Sequence, residues 1–138
     1  MILFRYKKEE GESGSIVKRP VADVFLKSID GPWIEFHPYI DSGADLTMIP
    51  LSLGKLLGFK KRDGKIKRIG GISGSAPVIF VRGQIKIGDY QFSIRLAWCQ
   101  TENVPPLLGR ADIFDQFDII FKQTEELILF EKRKLKQA

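Results

Sequence analysis

The sequence predicts a mostly β domain, a small closed β architecture with two short helices. Phe92, Ile94, Leu96 and Trp98 alternate with Ser93, Arg95 and Ala97, the period of a strand with one buried face. Gly88-Asp89 separates two long runs, Val78 to Ile87 and Tyr90 to Cys99, and reads as a two-residue hairpin turn. The remaining apolar runs are short and punctuated by Gly, Pro and Asp, which suits a closed sheet better than a doubly wound fold.

Each element has its own signal. Lys8 to Ser15 (KEEGESGS) is polar and rich in Gly and Ser, and reads as a mobile loop within an N-terminal arm, residues 1–19. Val21 to Ile29 reads as a strand, turned by Asp30-Gly31-Pro32. Trp33 to Ile40 is the next strand, and Pro38 inside it implies an edge or a bulge, because proline cannot donate to a sheet ladder. Pro50 to Leu57 reads as a short helix with Pro at its start and Gly58 as its stop. Ala111 to Phe117 (ADIFDQF) reads as the second short helix. Phe117 to Phe121 and Leu127 to Phe130 form a final hairpin across Gln123 to Glu126. The folded domain is expected over residues 20–132, with a basic tail at 133–138.

Composition bounds the function. A chain of 138 residues is one domain, long enough to bury a core. No apolar run approaches the roughly 18 residues that span a membrane. Met1-Ile2-Leu3-Phe4 is too short for a signal-peptide core and is followed at once by Arg5 and Lys7. The lone Cys99 has no partner for an intramolecular disulfide, which points to a reducing cytoplasm. One His and one Cys leave no zinc-type cluster, and no metal or cofactor is expected. The net charge is +5, with basic residues at Lys60-Lys61-Arg62, Lys65 to Arg68 and Lys132 to Lys136. Acidic residues are interspersed and no aromatic stacking platform accompanies them, so solvated strand ends are the better reading than a nucleic-acid surface.

The chemistry concentrates at Asp41-Ser42-Gly43-Ala44, entered through Tyr39-Ile40 and left through Leu46, Met48 and Ile49. A carboxylate at the end of an apolar strand is costly unless it is hydrogen-bonded or shares a proton. The small residues beside it allow backbone to approach closely. A glycine-rich segment follows, Ile69-Gly70-Gly71-Ile72-Ser73-Gly74, and then Pro106-Leu107-Leu108-Gly109-Arg110.

In this order, the pieces resemble the retropepsin-like aspartic proteases, nearest to the cellular, retroviral-type enzymes of bacteria and archaea. The resemblance runs from about Pro20 to Phe130. It implies an acid-protease fold with one lobe per chain and a symmetric homodimer. The chain holds a single Asp-Ser/Thr-Gly and is too short for two lobes, so a dyad requires Asp41 from each of two copies. Two carboxyls about 3 Å apart hold one proton between them; one activates a water and the other polarises the scissile carbonyl. By the same resemblance, the Ser42 hydroxyl would brace the two loops and Gly43 would admit substrate backbone. Residues Ile69 to Gly74 would form a flap that pairs with an extended peptide. Asp45 and Arg110 would form an ion pair tying the loop to the segment after it, a stabilising rather than a catalytic role.

The leading reading is therefore an aspartic endopeptidase acting on extended peptide or unfolded protein. The alternative is a non-catalytic dimer of the same fold that binds peptides or a partner protein, and a basic β-barrel that binds nucleic acid ranks third. His37 reads as a structural strand residue, and Cys99 as a small buried hydrophobe rather than a nucleophile.

Overall fold

The computed structural model describes residues 1–71 and 74–134. Among the described residues, thirteen strands and one α-helix follow in chain order. β1 (Ile2–Arg5), β2 (Lys7–Glu10), β3 (Ile16–Arg19), β4 (Val24–Lys27) and β5 (Trp33–Phe36) come first. β6 (Tyr39–Ile40), β7 (Thr47–Ile49) and α1 (Leu51–Leu57) surround the Asp41 loop and its return. β8 (Ile66–Gly71), β9 (Gly74–Ile87), β10 (Tyr90–Cys99), β11 (Leu107–Leu108), β12 (Phe117–Lys122) and β13 (Leu127–Lys132) complete the chain.

The main sheet has eight strands in the order β5-β4-β9-β10-β7-β11-β6, with β8 added to β9. It curls back on itself. Val21 bridges Tyr39, the Ala22 N–H donates to the Pro38 carbonyl at 3.1 Å, and the Ile40 N–H donates to the Pro20 carbonyl at 2.8 Å. The lead into β4 thus meets the far edge strand β6. Pro38 divides the expected Trp33 to Ile40 strand in two, and its halves stand at opposite ends of the strand order. This is the edge position that a residue without an N–H demands.

The β9–β10 hairpin turns at Gly88, whose φ of +58° belongs to the left-handed region. Ile85, Ile87, Ile94, Leu96 and Trp98 point into the main core. β1, β13 and β12 form a three-stranded sheet that closes this core. Phe130 meets Phe4 at 5.1 Å and Phe117 at 5.5 Å between ring centroids, and Phe117 meets Tyr90 at 5.7 Å. Beyond Leu96, β10 is buried on both faces: Val78, Ala97 and Cys99 form a second, smaller core with Leu46, Met48 and Ile69 against it.

Two sequence expectations are corrected. Lys8 to Ser15 is not wholly loop, since Lys8–Glu10 belongs to β2, which pairs with β3 as a hairpin. Lys8 stands opposite Lys18, and Glu126 reaches both at 3.3 and 3.4 Å, so charge from a distant segment supports strands whose composition looks like loop. Ala111 to Gln116 is a run of turns, not a helix, and Phe117 already belongs to β12. Phe114 N–H does donate to the Arg110 carbonyl at 2.9 Å, but Asp112 sits at φ +68°, where a right-handed helix cannot pass. Asp112 is held there by its carboxylate, which accepts the Arg95 N–H at 2.8 Å. The expected hairpins β9–β10 and β12–β13 and the helix after Pro50 are present. Of the basic tail, residues 135–138 lie outside the described residues. No described helix is long and apolar enough to cross a membrane.

Candidate active site

Asp41 stands where β6 ends. The chain leaves β6, turns through Asp41 to Asp45, and returns along β7, while β11 lies between the two strands. Leu107 and Leu108 pair in parallel with Tyr39 and Ile40, and Leu107 pairs antiparallel with Met48. The Asp41 N–H donates to the Leu108 carbonyl at 3.0 Å, the Ala44 N–H to the Asp41 carbonyl at 3.2 Å, and the Gly43 N–H to Asp41 Oδ1 at 2.9 Å. These bonds fix the loop and aim its carboxyl. Asp41 is half-buried, and Ser42 and Gly43 are exposed beside it. A Cβ on Gly43 would lie 3.2 Å from Asp41 Oδ1, so glycine leaves that oxygen open.

The segment after β11 holds the back of the loop. The Arg110 N–H donates to the Ala44 carbonyl at 2.8 Å and the Ala111 N–H to the Asp45 carbonyl at 2.9 Å. Gly109 passes so close to Leu46 that any Cβ there would collide with the Leu46 backbone. Its N–H donates to Thr47 Oγ1 at 3.1 Å. Thr47 is fully buried and was not singled out by sequence reasoning. Its signal was a lone hydroxyl inside the apolar return Leu46-Thr47-Met48-Ile49.

Arg110 Nη1 lies 3.9 Å from Asp45 Oδ1, but the side chains are 62% and 94% exposed, so the contact is a weak surface pair. The backbone bonds at Ala44 and Asp45, rather than this ion pair, tie the loop to Arg110 and Ala111.

A cavity of about 410 Å³ opens beside the loop. Gly43, Ala44, Asp45, Leu46 and Met48 line one side, Ile69, Gly70 and Phe80 another, and Ala97 and Leu107 complete it. The fold thus brings together residues from the Asp41 loop, the glycine-rich segment and the Leu107 run, which lie far apart in sequence. β8 and β9 pair from Ile66–Ile79 to Gly71–Gly74, which makes the glycine-rich segment the end of a hairpin. Ile72 and Ser73 lie outside the described residues.

Cys99 is buried, and burial pushes its thiol up to about 11, which leaves it protonated and without nucleophilic character near neutral pH. His37 Nδ1 lies 2.6 Å from Asp23 Oδ1, and Lys7 Nζ reaches the same oxygen at 3.1 Å. Burial acts to raise the Asp23 carboxyl, but these partners, His37 before Lys7, hold it below the usual value. Glu35 joins Asp23 and His37 with ligand atoms within 4.8 Å of one another, a grouping that the single histidine did not suggest. All three are exposed, and the Lys7 ammonium already occupies the Asp23 oxygen. Tyr39, just before the Asp41 loop, donates to Glu9 Oε1 at 2.8 Å and so anchors the N-terminal hairpin to β6.

No protein-family model matches the chain, and no curated protein matches it in sequence. Solved structures do match. A retropepsin-like aspartic protease from Rickettsia conorii superposes with a TM-score of 0.64 at 16% identity, over 93% of this chain and 97% of that one. The EIAV protease, solved in complex with the inhibitor HBY-793, superposes with a TM-score of 0.53 at 22% identity, over 67% of this chain and 83% of that one. The curled sheet and the length over which it superposes show that this chain has the retropepsin-like fold.

Proposed function

We propose that the protein is an aspartic endopeptidase that cuts extended peptide segments as a homodimer, with Asp41 of each copy forming one catalytic pair. The observation that carries this reading is the Asp41 loop itself. The acid, with Ser42 and Gly43 after it, sits in a loop clamped by β11, and Gly43 to Leu46 of that loop line a cavity bordered on another side by Ile69 and Gly70 of the glycine-rich hairpin. The fold likeness to two aspartic proteases supports it.

In this reading the pair shares one proton, because like charges about 3 Å apart cannot both ionise. The ionised carboxylate takes a proton from a water held between the two acids, and that water attacks the scissile carbonyl. The protonated member donates to the carbonyl oxygen as negative charge develops there. The proton taken from water then passes to the leaving amine. Ser42 braces one loop against the other, and the β8–β9 hairpin covers the peptide and pairs with its backbone. A cytoplasmic location fits the lone reduced Cys99.

The test is cleavage of an unfolded protein by the wild type and by Asp41→Asn, with the molecular mass of each in solution. Asn is nearly isosteric but neither shares the proton nor acts as a base. Cleavage by a wild-type dimer and none by a dimeric Asp41→Asn supports the reading. Equal cleavage by both places the chemistry elsewhere, and peptide binding without cleavage by the wild type marks a binding module.

A further inference from the structure

The face of the β9–β10 hairpin that borders the cavity changes character along its length. Cross-strand partners share a face, and here Val78–Cys99, Phe80–Ala97 and Arg82–Arg95 stand in a row. The first pair is buried, the second lines the apolar cavity, and the third lies one step, about 7 Å, farther out. Arg82 and Arg95 line a second hollow of about 340 Å³ with Val81, Leu46 and Phe80, and the last two also line the first cavity.

Two guanidinium groups directly opposite on paired strands repel each other. One of them is compensated. Arg95 Nε lies 3.2 Å from Asp112 Oδ2, and Asp45 and Asp115 border a further hollow on its other side with Arg110. Arg82 donates to Ser93 Oγ at 3.2 Å, and among the described residues no carboxylate stands within ion-pair distance of it. The next pair outward, Gln84 and Ser93, is neutral. An exposed cation with no direct ion pair, within electrostatic reach of Asp112 and with Asp63 bordering a hollow beside it, therefore stands next to an apolar cavity that the Asp41 loop also lines.

We propose that Arg82, with Arg95 beside it, forms an outer specificity subsite that receives an acidic side chain of the peptide. The assignment rests on the peptidase reading above. An extended peptide advances about 7 Å for every two residues, so the acidic residue falls about two or three positions from the apolar residue seated in the cavity.

The experiment is a peptide series with one apolar residue fixed and a single Glu or Lys moved along the flanking positions, read as kcat/KM for wild type, Arg82→Glu and Arg82→Lys. Thermal unfolding of each variant establishes that it is folded. At one position the wild type favours Glu over Lys by on the order of tenfold, and the preference shrinks with added salt. Arg82→Lys keeps the sign and Arg82→Glu inverts it. A Glu-to-Lys ratio that is the same in wild type and Arg82→Glu at every position overturns the subsite and leaves the peptidase reading standing. If no peptide is cut, fluorescence anisotropy of the same labelled peptides reads the charge preference directly. Inversion by Arg82→Glu then supports the subsite although the peptidase reading has failed, and no charge-dependent binding overturns the subsite as well.

Discussion

Thr47 Oγ1 accepts the Gly109 N–H at 3.1 Å, with both residues buried. This bond joins the strand that leaves the Asp41 loop to the tight passage after β11. Gly109 has no room for a side chain against Leu46, so the two segments run in close contact with this bond buried between them. Thr47→Val keeps the shape and removes the acceptor, leaving a buried donor unpaired at a cost of about 1–3 kcal/mol. Thr47→Ser keeps the acceptor and should recover most of that loss. Urea unfolding of the three proteins checks the order, and a Val variant as stable as wild type would mean the bond is dispensable.

This relationship marks where the sequence was legible and where it was not. The strands of the β9–β10 hairpin and the Gly88 turn could be read because alternation and a left-handed glycine are local signals. The Asp41 loop, the glycine-rich segment and the Leu107 run could be placed in order, and the cavity unites residues of all three. Thr47 was missed because its partner is remote in sequence and a single hydroxyl in an apolar run has several explanations. The helix expected at Ala111 to Phe117 failed for a related reason. Its composition permits a helix, but the Arg95 N–H and guanidinium hold Asp112 in a left-handed conformation. The β2–β3 hairpin was obscured because its like charges are offset by Glu126, far away in the chain.

The exposure of Asp45 and Arg110 sets a small effect for their contact. Arg110→Ala is expected to lower the stability of the isolated chain by less than about 1 kcal/mol, the usual range for a solvated pair at such separation. Thermal unfolding over a range of protein concentrations checks it. A larger loss that grows with protein concentration would show that assembly buries the pair.

Acid should destabilise the fold. The Glu102 carboxyl is held below its usual value first by the Ser52 hydroxyl and then by the Ser52 N–H at the start of α1. Burial opposes the lowering of Asp112, but the Arg95 N–H and side chain and the Arg82 charge outweigh it. Glu126 is lowered chiefly by its hydrogen bond from Lys8. A group whose folded pKa is depressed contributes stability that is present above its unfolded pKa and lost as pH falls through the folded one. Stability should therefore be nearly level from about pH 7 to pH 5 and fall below about pH 4. Urea midpoints across this range test it, and a midpoint that rises between pH 5 and pH 3 would contradict the assignment.

Gly54 sits inside α1, where alanine would ordinarily favour the helix by about 1 kcal/mol. Here the opposite is expected. Gly54 is buried, and a Cβ built on it would run into the indole of Trp98 at Nε1, Cδ1 and Cε2. The ring has little freedom to withdraw. It is almost wholly buried, its Nε1 donates to the Leu51 carbonyl at 3.1 Å, and Phe59 packs against it at 5.9 Å between centroids. Moving the ring would break the bond that fastens β10 to the start of α1. Overpacking of this kind costs about 1–3 kcal/mol, enough to outweigh the gain in helix propensity. Gly54→Ala should therefore unfold at lower urea than wild type, with a changed tryptophan fluorescence in the native state. Trp98→Phe combined with Gly54→Ala removes the indole nitrogen and part of the ring, so the second substitution should cost less in that background than in wild type. If Gly54→Ala stabilises the wild-type protein, the close approach of α1 to Trp98 is not a constraint on this fold.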